Sequence, residues 1–433
     1  MSRKFILSCV IVLILLFSSC NDSYIYNDLF TDEDPYIYSD HYDHFANEKN
    51  YKTILGDLSK VKIGEKSIAL QEEIPDMSWV SFDVSEKGEI SNYDMRWCDV
   101  SSLDLKQIEN YNNIYFNSQT IFPQSNKMPE RFNPEYILEL NKNPGLGIRE
   151  LHNKVIIGKD IGIAIIDDVL FQNHEQYKNN LVYYERIHSL DNVDPTHGPA
   201  VASIAVGKDT GVAPGAKLYY IATTYGHIIN DGKDFEFDAS IIADCILRVL
   251  EINQKLSENE KIRVISISRG YDENSKGYEE IQEAIKKADR DNIFVITTTT
   301  KIFYKDFQLF GMNKDFLADP DDFNAYFPAK WYDYSNSSNI NNTILFPMSR
   351  TYASCNSEHD YEINYVGGLS WAVPWCAGFY ALCCQVKPEI TPHEFIDIVN
   401  ETSIPAKIDH DGETYNFGKI ANPMEVVKIL QRK

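Results

Sequence analysis

The sequence predicts an α/β fold, a mostly parallel sheet with helices on both faces, preceded by a smaller N-terminal region. Apolar runs of strand length recur from residue 150 onward, at 161–166, 217–221, 263–267 and 292–297. Segments with helical spacing of apolar residues lie between and after them, at 199–206, 238–253, 278–289, 373–385 and 392–402. Short runs that are apolar throughout suit strands buried on both faces. Strands that alternate with helices build βαβ units and hence a parallel sheet.

The first strand, 161–166, ends at Asp167-Asp168. An acid at the C-terminal end of a buried parallel strand sits where open α/β sheets place their chemistry. Thirty residues on, Thr196-His197-Gly198-Pro199-Ala200-Val201-Ala202 sets a histidine at the start of a small-residue helix. His174 and His188, in the connecting segment, read as exposed loop residues. A turn at Gly211-Val212-Ala213-Pro214 leads into the strand at 217–221. In the next helix Ala239, Ile242, Ala243, Ile246 and Val249 share one face, with Cys245 beside them. The strand at 263–267 runs into Ser268-Arg269-Gly270, and that at 292–297 into Thr298-Thr299-Thr300-Lys301. Residues 301–345, rich in Asp, Asn, Tyr and Phe, exceed what a connection needs and read as a surface excursion near a cleft.

Gly367-Gly368-Leu369-Ser370-Trp371-Ala372-Val373-Pro374 then places a serine between a glycine turn and a helix start. Glycine lets the chain turn sharply. A helix N-terminus offers unpaired N–H groups to an oxyanion, and Pro374 is expected in the first helical turn. A serine hydroxyl needs a base, and the base needs an acid to hold its tautomer. Asp167, His197 and Ser370 supply that set, with Asp168 as the alternative acid. The plain readings are a helix-start histidine at 197 and a simple cap at 370.

Taken together these motifs resemble the subtilisin-like serine peptidases (subtilases) over roughly residues 145–433. Ile163-Ala164-Ile165-Ile166-Asp167 is similar to the family's V-A-V-I-D, and the segment from His197 to Ile204 to its H-G-T-x-V-A-x-I. The segment from Gly211 to Leu218 is similar to G-V-A-P-x-A-x-L, and that from Gly368 to Pro374 to G-T-S-M-A-x-P. The resemblance implies a subtilisin-like fold and an Asp167/His197/Ser370 triad that cleaves a peptide or protein substrate through an acyl-enzyme. It also implies that Ser268, Arg269 and Gly270 pair with substrate backbone as an added strand. The family's oxyanion asparagine is missing at Phe294–Lys301 in register; losing such a donor costs about 10²–10³ in turnover. Thr300 or Lys301 is the tentative substitute, beside the Ser370 backbone N–H; the bland reading leaves Lys301 solvated. Leu369 and Trp371 replace the usual Thr and Met. The alternative reading is a catalytically weak or inactive pseudopeptidase that binds peptides or a partner protein. No cofactor is called for; calcium, which the resemblance allows, is left unassigned.

The chain has 433 residues, 27 of them Tyr, and a net charge of −23. That is enough for one large domain with an extension, and the charge argues against nucleic acid and anionic lipid as partners. Arg3 and Lys4, an apolar core from Phe5 to Phe17 and Ser18-Ser19-Cys20 read as a signal peptide. Its ending resembles a bacterial lipobox. Cys20 would then carry a lipid anchor and hold the protein to a membrane outside the cytoplasm. No later stretch reads as a membrane span. The expected organisation is a signal peptide at 1–20, an acidic tether at 21–50, an N-terminal accessory or prosegment-like region at 51–145 and the peptidase domain at 146–433. Within the third part, residues 79–84 alternate like a strand. The cysteines suggest neither a disulfide framework nor a zinc site. Cys376, Cys383 and Cys384 read as buried packing residues, and a Cys98–Cys355 pair stays open.

Overall fold

The computed structural model describes residues 51–62, 67–68 and 94–432, apart from 107, 109–110, 191–194, 231–233, 330–341, 365–366 and 411. The segments expected as a signal peptide with Cys20 and as a tether, and the strand expected at 79–84, lie outside the described residues.

The four expected strands form at Gly162–Asp167, Lys217–Ala222, Ile262–Ile267 and Phe294–Thr297, joined in parallel with Leu181–Leu190. Across the sheet the order is 181–190, 217–222, 162–167, 262–267, 294–297. Of these five, the first in sequence, Gly162–Asp167, is thus central, with later strands added on one side and then on the other. That reversal is a topological switch point, and open α/β sheets bind ligands beyond the strand ends there.

The side-chain alternation of the central strand assigns its two faces. Ile163 and Ile165 belong to one buried cluster, with helices His197–Val206, Leu369–Val386, Pro392–Thr402 and Pro423–Leu430. Ala164 and Ile166 belong to the other, with helices Ala239–Lys255 and Tyr278–Arg290. Helices therefore cover both faces, as the sequence predicts.

The strand Leu181–Leu190 was not read from the sequence, because Glu185, Arg186 and His188 interrupt its apolar pattern. Glu185 is fully buried there and accepts from Arg248 Nε at 3.0 Å and from the Tyr183 hydroxyl at 2.6 Å. His188, expected in an exposed loop, lies in this strand and stacks on Tyr51, with ring centroids 4.1 Å apart.

Residues 301–345 also differ from expectation. Strands Gln308–Lys314, Tyr326–Pro328 and Thr343–Pro347 join Ile404–His410 and Glu413–Ile420 in a second, five-stranded sheet. Met312, Ile344 and Leu345 are fully buried in the core, so part of this segment is structural.

The helix Leu369–Val386 is long and apolar enough to cross a membrane, contrary to the sequence reading. Its residues Trp371–Cys384 are buried between the sheets, as in a core helix. Cys376, Cys383 and Cys384 are buried within it, and no disulfide joins Cys98 to Cys355.

Parts of the N-terminal region are built into the main body. Strand Tyr51–Ile54 pairs antiparallel with the edge strand Leu181–Leu190, and Gly56 N–H donates to Glu185 Oε2 at 3.0 Å. Farther on, Met95, Phe116, Phe132 and Ile137 share an apolar cluster with Phe316, Tyr361 and Ile363.

A buried polar knot ties the same parts together. The Asp360 carboxylate accepts from Trp97 Nε1 at 3.1 Å and Ser118 Oγ at 2.5 Å. His174, expected to be exposed, is fully buried, and its Nε2 meets the Asp360 carbonyl at 2.7 Å.

Candidate active site

Asp167 ends the central strand, fully buried, on the face it shares with Ile163 and Ile165. The helix His197–Val206 covers that face and begins at His197 itself. Gly198 permits the close approach: a Cβ there would lie 2.4 Å from the Val169 carbonyl oxygen and 2.5 Å from the Tyr220 hydroxyl.

His197 Nδ1 accordingly meets Asp167 Oδ1 at 2.5 Å, and the same oxygen accepts the Asp168 N–H at 2.9 Å. With Nδ1 donating to a carboxylate, Nε2 is the nitrogen left to take a proton. Burial works against a charged imidazole, but the Asp167 charge and hydrogen bond, aided by Asp168, outweigh it and raise the His197 pKa above its ordinary value. Asp168 is pushed up to about 6, by burial first and then by the neighbouring Asp167 charge. One ligand atom from each of Asp167, Asp168 and His197 falls within 4.8 Å of the others. The direct Asp167–His197 bond marks the set as an acid–base pair.

Ser370 is the second residue of the helix Leu369–Val386, which starts after Gly368. Gly367 makes the preceding turn at φ +60°, where a Cβ would lie 2.4 Å from Met348 Cβ. The first-turn N–H groups of a helix have no internal partner, so the Ser370 amide is available to an incoming oxygen. Pro374 lies inside the helix, one turn later than expected. Its missing N–H leaves the carbonyl four residues back, that of Ser370, without a helical donor. Ser268 Oγ fills the gap at 2.9 Å, and Ser370 Oγ in turn donates to the Ser268 carbonyl at 3.5 Å.

Trp371, the residue after Ser370, has its ring centroid 5.2 Å from that of the His197 imidazole, while the Ser370 hydroxyl bonds to the Ser268 carbonyl. The three residues of the proposed set come from the end of the central strand and from two helix starts.

The tentative oxyanion residues are placed less favourably. The Thr300 hydroxyl donates to the Thr297 carbonyl at 2.6 Å and accepts the Thr297 N–H at 2.9 Å, inside its own buried turn. Lys301 is exposed. Thr299 Oγ1 donates to the Tyr271 carbonyl at 3.0 Å.

Ser268, Arg269 and Gly270 follow directly on strand Ile262–Ile267 and are partly buried. The Arg269 carbonyl accepts from Thr298 N–H at 3.3 Å, and its guanidinium lies 4.9 Å above the Phe237 ring. The Arg269 charge opposes, without reversing, the rise that burial gives Asp168 and that Asp167 gives His197. Sequence reasoning gave Arg269 a backbone role only and assigned nothing to Tyr225. The Tyr225 hydroxyl donates to the Ile166 carbonyl at 3.0 Å, beside the acid.

A model of the subtilase family matches residues 158–419, and the chain belongs to that family, whose members are serine-protease hydrolases. Among solved structures, the chain is similar to the prenylagaramide maturation protease PagA, at 18% identity, TM-score 0.45, 66% of this chain and 99% of that one. It is likewise similar to the PatG macrocyclase in complex with peptide, at 16% identity, TM-score 0.48, 66% of this chain and 96% of that one. A third is fervidolysin from Fervidobacterium pennivorans, a keratinolytic enzyme related to subtilisin, at 15% identity, TM-score 0.45, 67% of this chain and 47% of that one. No curated protein sequence matches the chain.

Proposed function

We propose that the chain is a serine endopeptidase that hydrolyses peptide bonds through Asp167, His197 and Ser370. The observation that carries this reading is the 2.5 Å bond from His197 Nδ1 to the buried Asp167 carboxylate, beside the first turn of the Ser370 helix. For reaction, the Ser370 hydroxyl leaves the Ser268 carbonyl and gives its proton to His197 Nε2 as its oxygen attacks the scissile carbonyl. Asp167 stabilises the imidazolium that forms. The Ser370 amide N–H receives the oxyanion. His197 then protonates the leaving amine, and water, activated by the same imidazole, releases the acyl group. Ser268, Arg269 and Gly270 present main chain to the substrate as an edge strand.

The site of action is read as outside the cytoplasm, with the protein held to a membrane by lipid on Cys20. The sequence of residues 1–20 supports this. No cofactor is proposed, and calcium has no assigned ligands.

A second reading, a weak or inactive peptidase that binds peptides or a partner protein, has its own support. Thr300 is committed to its turn, Lys301 is exposed, and the Ser370 hydroxyl rests on a carbonyl. Incubating the chain from residue 21 with a peptide library and sequencing the products by mass spectrometry separates the two. Internal cleavages lost in Ser370→Ala support the endopeptidase. Retention of uncleaved peptides by both proteins supports the binding protein.

A further inference from the structure

Trp371 is not needed as acid, base or nucleophile, yet it packs against the base. It directly follows Ser370, its side chain is almost fully buried, and its ring plane is tilted 46° to the imidazole at a centroid distance of 5.2 Å. Tyr352, from strand Arg350–Ala353, supports the same indole edge-on at 5.1 Å. The Tyr352 hydroxyl is fixed by a bond to Glu362 Oε2 at 3.3 Å, and Glu362 also pairs with Arg96 at 3.2 Å. The indole therefore stands on a braced support.

We propose that Trp371 is a positioning residue for His197: it holds the imidazole against Asp167, and its ring face favours the charged imidazolium.

A hydrogen bond at Nδ1 fixes one edge of an imidazole but leaves the ring free to swing about that contact. A packed aromatic surface removes this freedom. Aromatic faces also attract cations within about 6 Å of the ring centroid, more strongly where water is excluded. The charges facing His197 are Asp167 and Asp168 from the central strand and Arg269 from its neighbour. The two acids favour the imidazolium and Arg269 opposes it. Trp371 adds a favourable contribution without adding charge. Its indole N–H is buried without an acceptor among the described residues. A ring present only to fill space would be better served by phenylalanine; the wide indole face accounts for tryptophan.

This inference rests on His197 being the base, but its test does not require catalysis. In the Ser370→Ala chain, which cannot digest itself, the His197 ring proton is followed by NMR against pH and assigned by its loss in His197→Asn. Trp371→Leu is expected to lower the titration midpoint by about half to one pH unit, whereas Trp371→Phe retains most of the shift. Trp371→Met serves as the non-aromatic variant if the leucine protein does not fold. With Ser370 present, the acidic limb of kcat/KM moves down by the same amount, and kcat falls while KM changes little. A folded leucine or methionine variant with an unchanged midpoint overturns the proposal. A shifted midpoint in a protein that cleaves nothing upholds the Trp371–His197 coupling and sinks only the peptidase reading.

Discussion

Ser268 and Ser370 exchange hydrogen bonds, hydroxyl to carbonyl in both directions, at 2.9 Å and 3.5 Å. The exchange exists because Pro374 cannot donate to the Ser370 carbonyl within the helix. One proline thereby ties the turn of the proposed nucleophile to the strand that would receive substrate.

Ser268→Ala removes the donor and leaves that carbonyl unsatisfied. The expected loss is about 1–2 kcal/mol of stability, with slower turnover, and Ser268→Thr restores both. Denaturant midpoints and peptide turnover for the two variants check this; an alanine variant as stable and active as the parent contradicts it.

Asp167→Asn keeps the shape of the site but no longer enforces the tautomer with Nε2 free. Turnover is expected to fall by about 10⁴ while the fold survives. Steady-state kinetics with a cleavable peptide, alongside circular dichroism, measure both.

The raised pKa of His197 sets the pH dependence. The base must be neutral to accept a proton, so kcat/KM is expected to rise through a midpoint above the ordinary histidine value of about 6.5. A midpoint clearly below that value would contradict the part assigned to Asp167.

Gly198→Ala forces a methyl to within 2.4 Å of the Val169 carbonyl, so the helix start must move off the strand end. Overpacking of this kind costs about 1–3 kcal/mol. Because His197 is the adjacent residue, activity should fall more than the loss of folded protein explains. Equilibrium unfolding and turnover of the same preparation distinguish the two effects.

His174 and Asp360 give stability terms of opposite sign. Burial lowers His174 to about 4, so its contribution is full above about pH 6.5 and is lost as pH falls through 4. Burial raises Asp360 to about 6, so its contribution is full at low pH and is lost as pH rises from about 4 through 6. Between pH 4 and 6 the two nearly cancel. Asp360→Asn should therefore make the protein more acid-labile over that range, and His174→Gln should make it relatively more stable as pH falls. Thermal unfolding midpoints across the range test the pair.

Much of this was legible in the sequence for a physical reason. Buried parallel strands demand unbroken apolar runs, so 161–166, 217–221, 263–267 and 292–297 stand out, and Asp167, His197 and Ser370 mark element boundaries beside them. Leu181–Leu190 was hidden because Glu185 is buried against Arg248 and Tyr183, a pairing fixed only by tertiary structure. The second sheet was hidden because polar residues break its apolar runs, Asn313 and Lys314 in one strand, Lys407 and Asp409 in another. Trp371 read as a mere departure from a motif, since nothing local says that a helix residue will meet a histidine 174 positions earlier.

Reaction of the chain from residue 21 with a fluorophosphonate probe tests the central claim most directly. An activated serine reacts and a plain helix-cap serine does not. The account predicts one label per chain, on Ser370, abolished in Ser370→Ala and strongly slowed in Asp167→Asn. A folded, monodisperse protein that stays unlabelled, both as the whole chain and after the N-terminal region is clipped, would contradict it.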